Sequence, residues 1–165
     1  MTELSIRPFL DSDLPMLHSI RIAAFVGVFA SFRGIMGPDI AKIAMRGAED
    51  EQTALLNGFT ASDDNRELLV ACLDGQPIGF AALTFDPVQA IGEIVITAID
   101  PAHSGQGHGT TLNLAALSRM KQRGMRVATV GTGGDPSHAA ARRTYEKAGF
   151  SKVIPNLVYY QALQD

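Results

Sequence analysis

The sequence predicts one α/β domain of the α+β kind, a mixed sheet flanked by helices, and three observations lead there. Segments with strand and helix periodicity follow the order β, helices, three meandering strands, α, β, α, β. A chain of 165 residues suits one domain. At this size roughly 7,900 Å² of folded surface is expected against about 25,500 Å² unfolded, so about 69 % is buried. Hydrophobic residues make up 46 % and charged residues 19 %, which excludes a disordered chain.

Leu4–Phe9 alternates as a short strand, and Asp11, Ser12 and Asp13 offer helix N-caps ahead of Pro15. Leu17, Ile20, Ala24 and Val28 recur at helical spacing, predicting a helix that ends near Ser31. Arg33–Pro38 reads as a loop, a second helix starts near Asp39, and a third covers Glu51–Leu56. Polar Thr60–Asn65 closes this half. Arg66–Leu73 and Ile78–Phe85 form a hairpin around Asp74-Gly75, and Ala90–Ile99 is the third strand of the meander. A Gly-rich turn, Ser104–Gly109, opens a helix reaching Arg123, with Gly124 as its C′ residue. Arg126–Val130 is a strand, and Asp135-Pro136 caps a helix that Gly149 ends. Lys152–Leu163 is the last strand, with Pro155 favouring an edge or a bulge. No internal repeat or low-complexity tract interrupts this order.

Net charge is −3, and no Lys/Arg block occurs, which argues against nucleic-acid binding. Cys72 is the single cysteine, so an intramolecular disulfide framework and a Cys-rich metal site are excluded. The four histidines show no metal-ligand spacing. No basic-then-apolar leader opens the sequence, and no apolar run approaches the ~18 residues of a membrane helix. The expectation is a cytoplasmic protein without a membrane segment.

Gly105, Gly107 and Gly109 join a strand to a helix, the geometry in which backbone amides and the helix dipole bind an anion. A dinucleotide fingerprint fails because the third glycine arrives one residue early, and a Walker loop fails for want of a Lys. A tight connection without a ligand is the alternative.

Asp100-Pro-Ala-His-Ser-Gly-Gln-Gly-His-Gly109, followed by Ala141-Arg-Arg-Thr-Tyr-Glu-Lys-Ala-Gly-Phe150, resembles the GNAT superfamily of acyl-CoA-dependent N-acetyltransferases. The first segment is similar to that family's pyrophosphate-binding Arg/Gln-x-x-Gly-x-Gly/Ala motif, the second to its Tyr-Glu-Lys-x-Gly-Phe motif. Asp74-Gly75, Gly79-Phe80, Ile6-Arg7-Pro8 and Asp13-Leu14 also fit, and the likeness spans nearly the whole chain, least across Gly27–Asn65. Ser104 departs from the family's Arg or Gln, and His138 from its frequent Asn.

The resemblance implies one domain over 1–165, with six to seven strands, about four helices, and splayed fourth and fifth strands. It implies that Ser104, Gly105, Gln106, Gly107, His108, Gly109 and Thr110 hold the pyrophosphate of acetyl-CoA. Main-chain groups of Thr97, Ala98 and Ile99 would pair with the pantetheine arm, and His138 would approach the cofactor too. Tyr145 stands as general acid, and Glu93 as base on a strand face shared with Val95 and Thr97. Asp135 and His138 are weaker candidates for the base. Phe29 and Arg33 lie in the Phe25–Gly58 stretch expected to wall the acceptor, a primary amine of a small molecule or peptide. No metal is expected, and Val158-Tyr159-Tyr160 suits a homodimer contact. The rival reading is a non-catalytic module that binds acyl-CoA or a metabolite on the same fold.

Overall fold

The apolar alternation in the middle of the chain folds as a meander at the heart of one mixed sheet. The structure, a computed structural model, describes residues 3–61 and 63–163. β1 (Leu4–Pro8), β2 (Arg66–Leu73), β3 (Gln76–Asp86) and β4 (Ile91–Ile99) are successively antiparallel, and β5 (Val127–Val130) joins β4 in parallel. Asp74 and Gly75, at φ 48° and 82°, close the β2–β3 hairpin as the Asp-Gly pair predicts. Ala90 takes φ 57° and turns the chain, so β4 starts at Ile91.

Helices cover both faces. α1 (Leu14–Met36) lays Leu17 and Ile20 on Leu68, Val70 and Phe80. α4 (His108–Gln122) lays Leu112, Ala116 and Met120 on Leu69, Ala81 and Leu83. Strands buried on both faces explain why β2 and β3 read as continuous apolar runs. α2 (Pro38–Ala44), α3 (Ala48–Asn57) and α5 (Ala139–Ala148) complete the set. Four of the helices have ten residues or more, and α2 has seven.

α1 runs past Ser31 and absorbs Arg33–Met36 of the expected Arg33–Pro38 loop. Its stop is Gly37, at φ 77°, followed by Pro38 at the first position of α2. Gly34 stays helical because one interior glycine costs only about 1 kcal/mol. With the turn before it, residues 11–36 average a hydropathy of 1.5 over an 18-residue window, long and apolar enough to cross a membrane by length and composition. That corrects the expectation of no such run. Here the helix packs one stripe on the sheet.

Three features of the sheet bear on the site. β5 pairs only with Ile91–Ile94, so the rest of β4, Val95–Ile99, has no β5 partner, which is the expected splay. A register shift opposite Ala82/Leu83 inserts Val95 as a bulge. The bulge breaks the expected alternation: Glu93 pairs with Thr84 on the α1 side, whereas Thr97 pairs with Ala81 on the α4 side. The expected strand Lys152–Leu163 is the third difference. The sheet has five strands among the described residues, not six to seven, and 151–163 runs exposed without a ladder. In this structure its β-prone composition pairs with no strand among the described residues, and a strand exists only by pairing.

Candidate functional site

The Gly-rich turn is held from behind and open in front. Asp100 accepts a hydrogen bond from the Ala102 amide at 2.9 Å and starts a 3-10 turn at Pro101–His103. Gly105 and Gly107 then adopt φ 75° and 86°, and a Cβ on either would meet open space. Among the described residues the consecutive amides of Gly105–Thr110 find no acceptor. Unsatisfied donors at the positive end of a 15-residue helix favour an anion. Gly109 has a different job: a Cβ there would stand 3.2 Å from Thr144 Cγ2, so it lets α4 approach α5. Ser104 and Gln106 are exposed beside the turn. The His103 and His108 rings lie 6.5 Å apart, and His108 Nε2 is buried with no partner among the described residues.

The free edge of β4 stands next to this turn in sequence. Thr97 Oγ1 donates to the Phe80 carbonyl at 3.0 Å, which occupies the side chain. Thr97, Ala98 and Ile99 carry their main-chain groups on the side from which β5 has departed.

Tyr145 sits on α5, buried, with its ring edge-on to Phe150 at 6.0 Å. Burial pushes its phenol up to about 12. The hydroxyl therefore keeps its proton at neutral pH and has no hydrogen-bond partner among the described residues. Glu93 is exposed in a cavity of about 220 Å³ that Thr84, Asp86, Gln89 and Thr129 help to line.

A second network closes the loop after β5. Asp135 caps the turn at Pro136–His138, accepting from the Ser137 amide at 3.2 Å. Its carboxylate also accepts from Ser31 Oγ of α1 at 2.8 Å, from Ser137 Oγ, and from His138 Nδ1 at 2.6 Å. Burial raises this carboxyl's pKa, but the hydrogen bonds from Ser137, Ser31 and His138 outweigh burial and hold it well below the carboxylate range. The bond fixes a proton on His138 Nδ1, leaving Nε2 as the ring's free nitrogen. Phe32 stacks on the same ring at 5.5 Å. Arg142 donates to the carbonyls of Gly133 and Asp135 and so clamps the loop.

Phe29 and Arg33 fall together on α1, the guanidinium 5.8 Å from the ring centroid. Arg33 also pairs with Glu49 of α3, so its charge is already partnered. His18 bonds Asn57 at 2.8 Å, and buried Cys72 has its thiol pKa raised by burial. No three His, Cys, Asp or Glu side chains converge as metal ligands among the described residues.

Sequence reasoning missed the Ser31–Asp135 bond, which joins residues 104 positions apart and has no local signal. The Asp135–His138 pair had one, an i,i+3 spacing across a Pro-containing turn.

A sequence model described as the acetyltransferase (GNAT) family matches residues 37–150. A mycothiol acetyltransferase of Streptosporangium roseum is 41 % identical over 71 residues, 43 % of this chain and 20 % of that protein. One from Rhodococcus jostii is 32 % identical over 127 residues, 73 % of this chain and 38 % of that protein. The chain thus spans only 20 % and 38 % of the length of these curated relatives. The crystal structure of a PaiA N-acetyltransferase from Thermoplasma acidophilum in complex with coenzyme A matches the fold at a TM-score of 0.70. That match has 22 % identity and covers 90 % of both chains.

Proposed function

The chain belongs to the GNAT acetyltransferase family, and from that premise we propose that it moves an acetyl group from acetyl-CoA to a primary amine of a small molecule or peptide. The amine attacks directly in a ternary complex. The observation that carries the reading is the unpaired edge of β4 at Val95–Ile99 leading into the unpaired amides of Gly105–Thr110.

The residues present fit the donor. The open space at Gly105 and Gly107 admits a pyrophosphate to the amides, and an extended arm adds to β4 as a strand would. Acetyl-CoA supplies an activated acetyl thioester. Main-chain amides on the free edge of β4 orient the carbonyl and stabilise charge on its oxygen. Tyr145 holds a proton at Oη for the departing sulfur. An alkyl amine is neutral only about once in 2,500 molecules at pH 7, so a base speeds the reaction. Glu93, open to its cavity, receives that proton.

One observation favours a second base. His138 is oriented by Asp135 through Nδ1, which leaves Nε2 able to accept a proton. If Glu93 is the base, Glu93→Gln lowers kcat/KM at neutral pH and the loss shrinks as alkaline pH deprotonates the amine. His138→Asn shows that pattern instead if the ring does the work. Phe29 and Phe32 are proposed to line the acceptor side.

The test is thiol release and product mass from purified protein with acetyl-CoA and a panel of small and peptide amines. Turnover with at least one amine is expected. Tight acetyl-CoA binding with no turnover across the panel supports the non-catalytic module instead.

A further inference from the structure

The seam between α4 and α5 is pinned by a buried polar pair, one residue away from Tyr145. Towards the sheet α4 presents Leu112, Ala116 and Met120. Towards α5 it presents Gly109 and Asn113, four residues apart and so on one face of the helix. Thr144 is held at both ends by that face. Its methyl is the group that a Cβ at Gly109 would meet at 3.2 Å. Its hydroxyl spends its proton on the Ala141 carbonyl at 2.8 Å and accepts from Asn113 Nδ2 at 3.1 Å. Asn113 is 1 % exposed, and its Oδ1 is buried with no partner among the described residues. Burying a half-satisfied amide costs stability that an apolar side chain would keep. What the amide supplies instead is direction: a hydrogen bond fixes a distance and an angle, and with them one register of α5 on α4.

We propose that Asn113 and Thr144 are positioning residues for acetyl transfer, given Tyr145 as the proton source of the proposed reaction. They set the register of α5 against the helix that carries the Gly-rich turn, and thereby the place of the Tyr145 hydroxyl relative to a donor bound there. The hydroxyl has no hydrogen bond of its own among the described residues. The ring meets Phe150 edge-on at 6.0 Å, and Phe150 itself is tied to the end of α5 through its amide on the Tyr145 carbonyl. The hydroxyl therefore goes where the backbone of α5 goes. That backbone is fixed at Thr144, which bonds to the first two turns of α4, and the leading amides of α4 belong to the cradle. Donor and proton source are thus referenced to one helix. A misplacement of about 1 Å can cost ~10²-fold in rate, so a directional pin at this point counts for more in turnover than in stability.

The experiment takes the full chain labelled with ¹³Cζ-tyrosine and follows the Tyr145 resonance, assigned by its loss in Tyr145→Phe, with and without coenzyme A at neutral pH. In the wild type, coenzyme A is expected to move that resonance. Thr144→Val keeps the methyl and the shape and removes the hydroxyl. Asn113→Leu/Thr144→Val removes both polar groups together, so that no amide is left buried and unpaired. In both variants the response to coenzyme A is expected to shrink. With the amine of the panel that turns over fastest, kcat should fall roughly 3–30-fold while Kd for acetyl-CoA stays within about twofold. Thr144→Ser, which retains the hydroxyl, should keep the wild-type response and kcat. A wild-type resonance indifferent to bound coenzyme A overturns Tyr145 as the proton source, and the role of the pair with it. A wild-type response that the double variant preserves, or a Thr144→Ser as impaired as Thr144→Val, overturns the positioning role alone.

Discussion

Two glycine-rich loops leave the same end of the sheet, after the parallel strands β4 and β5, and they are built in opposite ways. The loop at Ser104–Gly109 keeps its amides free and has open space at Gly105 and Gly107. The loop at Gly131–Asp135 spends its polar groups internally: Asp135 gathers Ser31, Ser137 and His138, and Arg142 clamps two carbonyls. Glycine content alone therefore does not mark a ligand site. Unsatisfied donors facing open space mark it, and a satisfied network marks a fixed reference that ties β5 to α1.

The sharpest way to break that contrast is Gly107→Val. A β-branched residue at φ 86° is strained and its side chain takes the space an anion needs. Acetyl-CoA affinity by titration calorimetry should fall at least about 100-fold, the loss of roughly 2.7 kcal/mol or more. Unchanged affinity would sink the cradle.

Tyr145, on the helix that follows the closed loop, comes next. Tyr145→Phe keeps the ring and removes the hydroxyl. General acids contribute about 10²–10⁴-fold, but a thiol leaving group with a pKa near 8.5 needs little help, so kcat should drop roughly 10–100-fold. Kd for acetyl-CoA should hold steady, because main chain elsewhere binds the donor. The difference in phenolate absorbance between wild type and variant should titrate near pH 12. Since the native pKa is raised, this phenol's share of stability is complete below about pH 10 and is lost as pH rises towards 12. A difference titration near pH 10 would show that the phenol is not buried.

Most of the fold was legible because it depends on local pattern. The Asp74-Gly75 hairpin, the Gly124 stop and the apolar runs of β2 and β3 each rest on residues that are neighbours in sequence. What escaped depends on partners. The bulge at Val95 shows only in register with β3, and it separates Glu93 from Thr97. Lys152–Leu163 has every local property of a strand and lacks only a pairing partner in this structure. At the site, the open glycines were readable from spacing. Gly109 looks identical in sequence, yet serves the packing of α4 on Thr144.

Gly133→Ala probes the closed loop and should leave the opposite trace. A Cβ at this position would collide with His138 Nδ1 and Asp135 Oδ1, so the network must shift. Overpacking of this kind costs about 1–3 kcal/mol. For a chain of this size that lowers Tm by about 2–12 °C, read by calorimetry. Acetyl-CoA affinity should stay within about twofold. A large affinity loss without a stability loss would mean that both loops bind the donor.

Ser104→Arg carries the smallest expected effect and sharpens the contrast from the other side. If free amides alone hold the pyrophosphate, a cation at the exposed Ser104 position adds a charge-assisted contact to an arrangement that already works. The gain is about 0.5–2 kcal/mol, a roughly 2–30-fold tighter Kd. Being at the surface, this contact should weaken with salt, and the advantage over wild type should shrink between 50 and 500 mM NaCl. The same substitution has no ligand to meet if the turn is only a connection between β4 and α4, and affinity would then stay unchanged at every salt concentration. Titrations at two ionic strengths thus separate a cradle that lacks its side-chain cation from a turn that never held an anion.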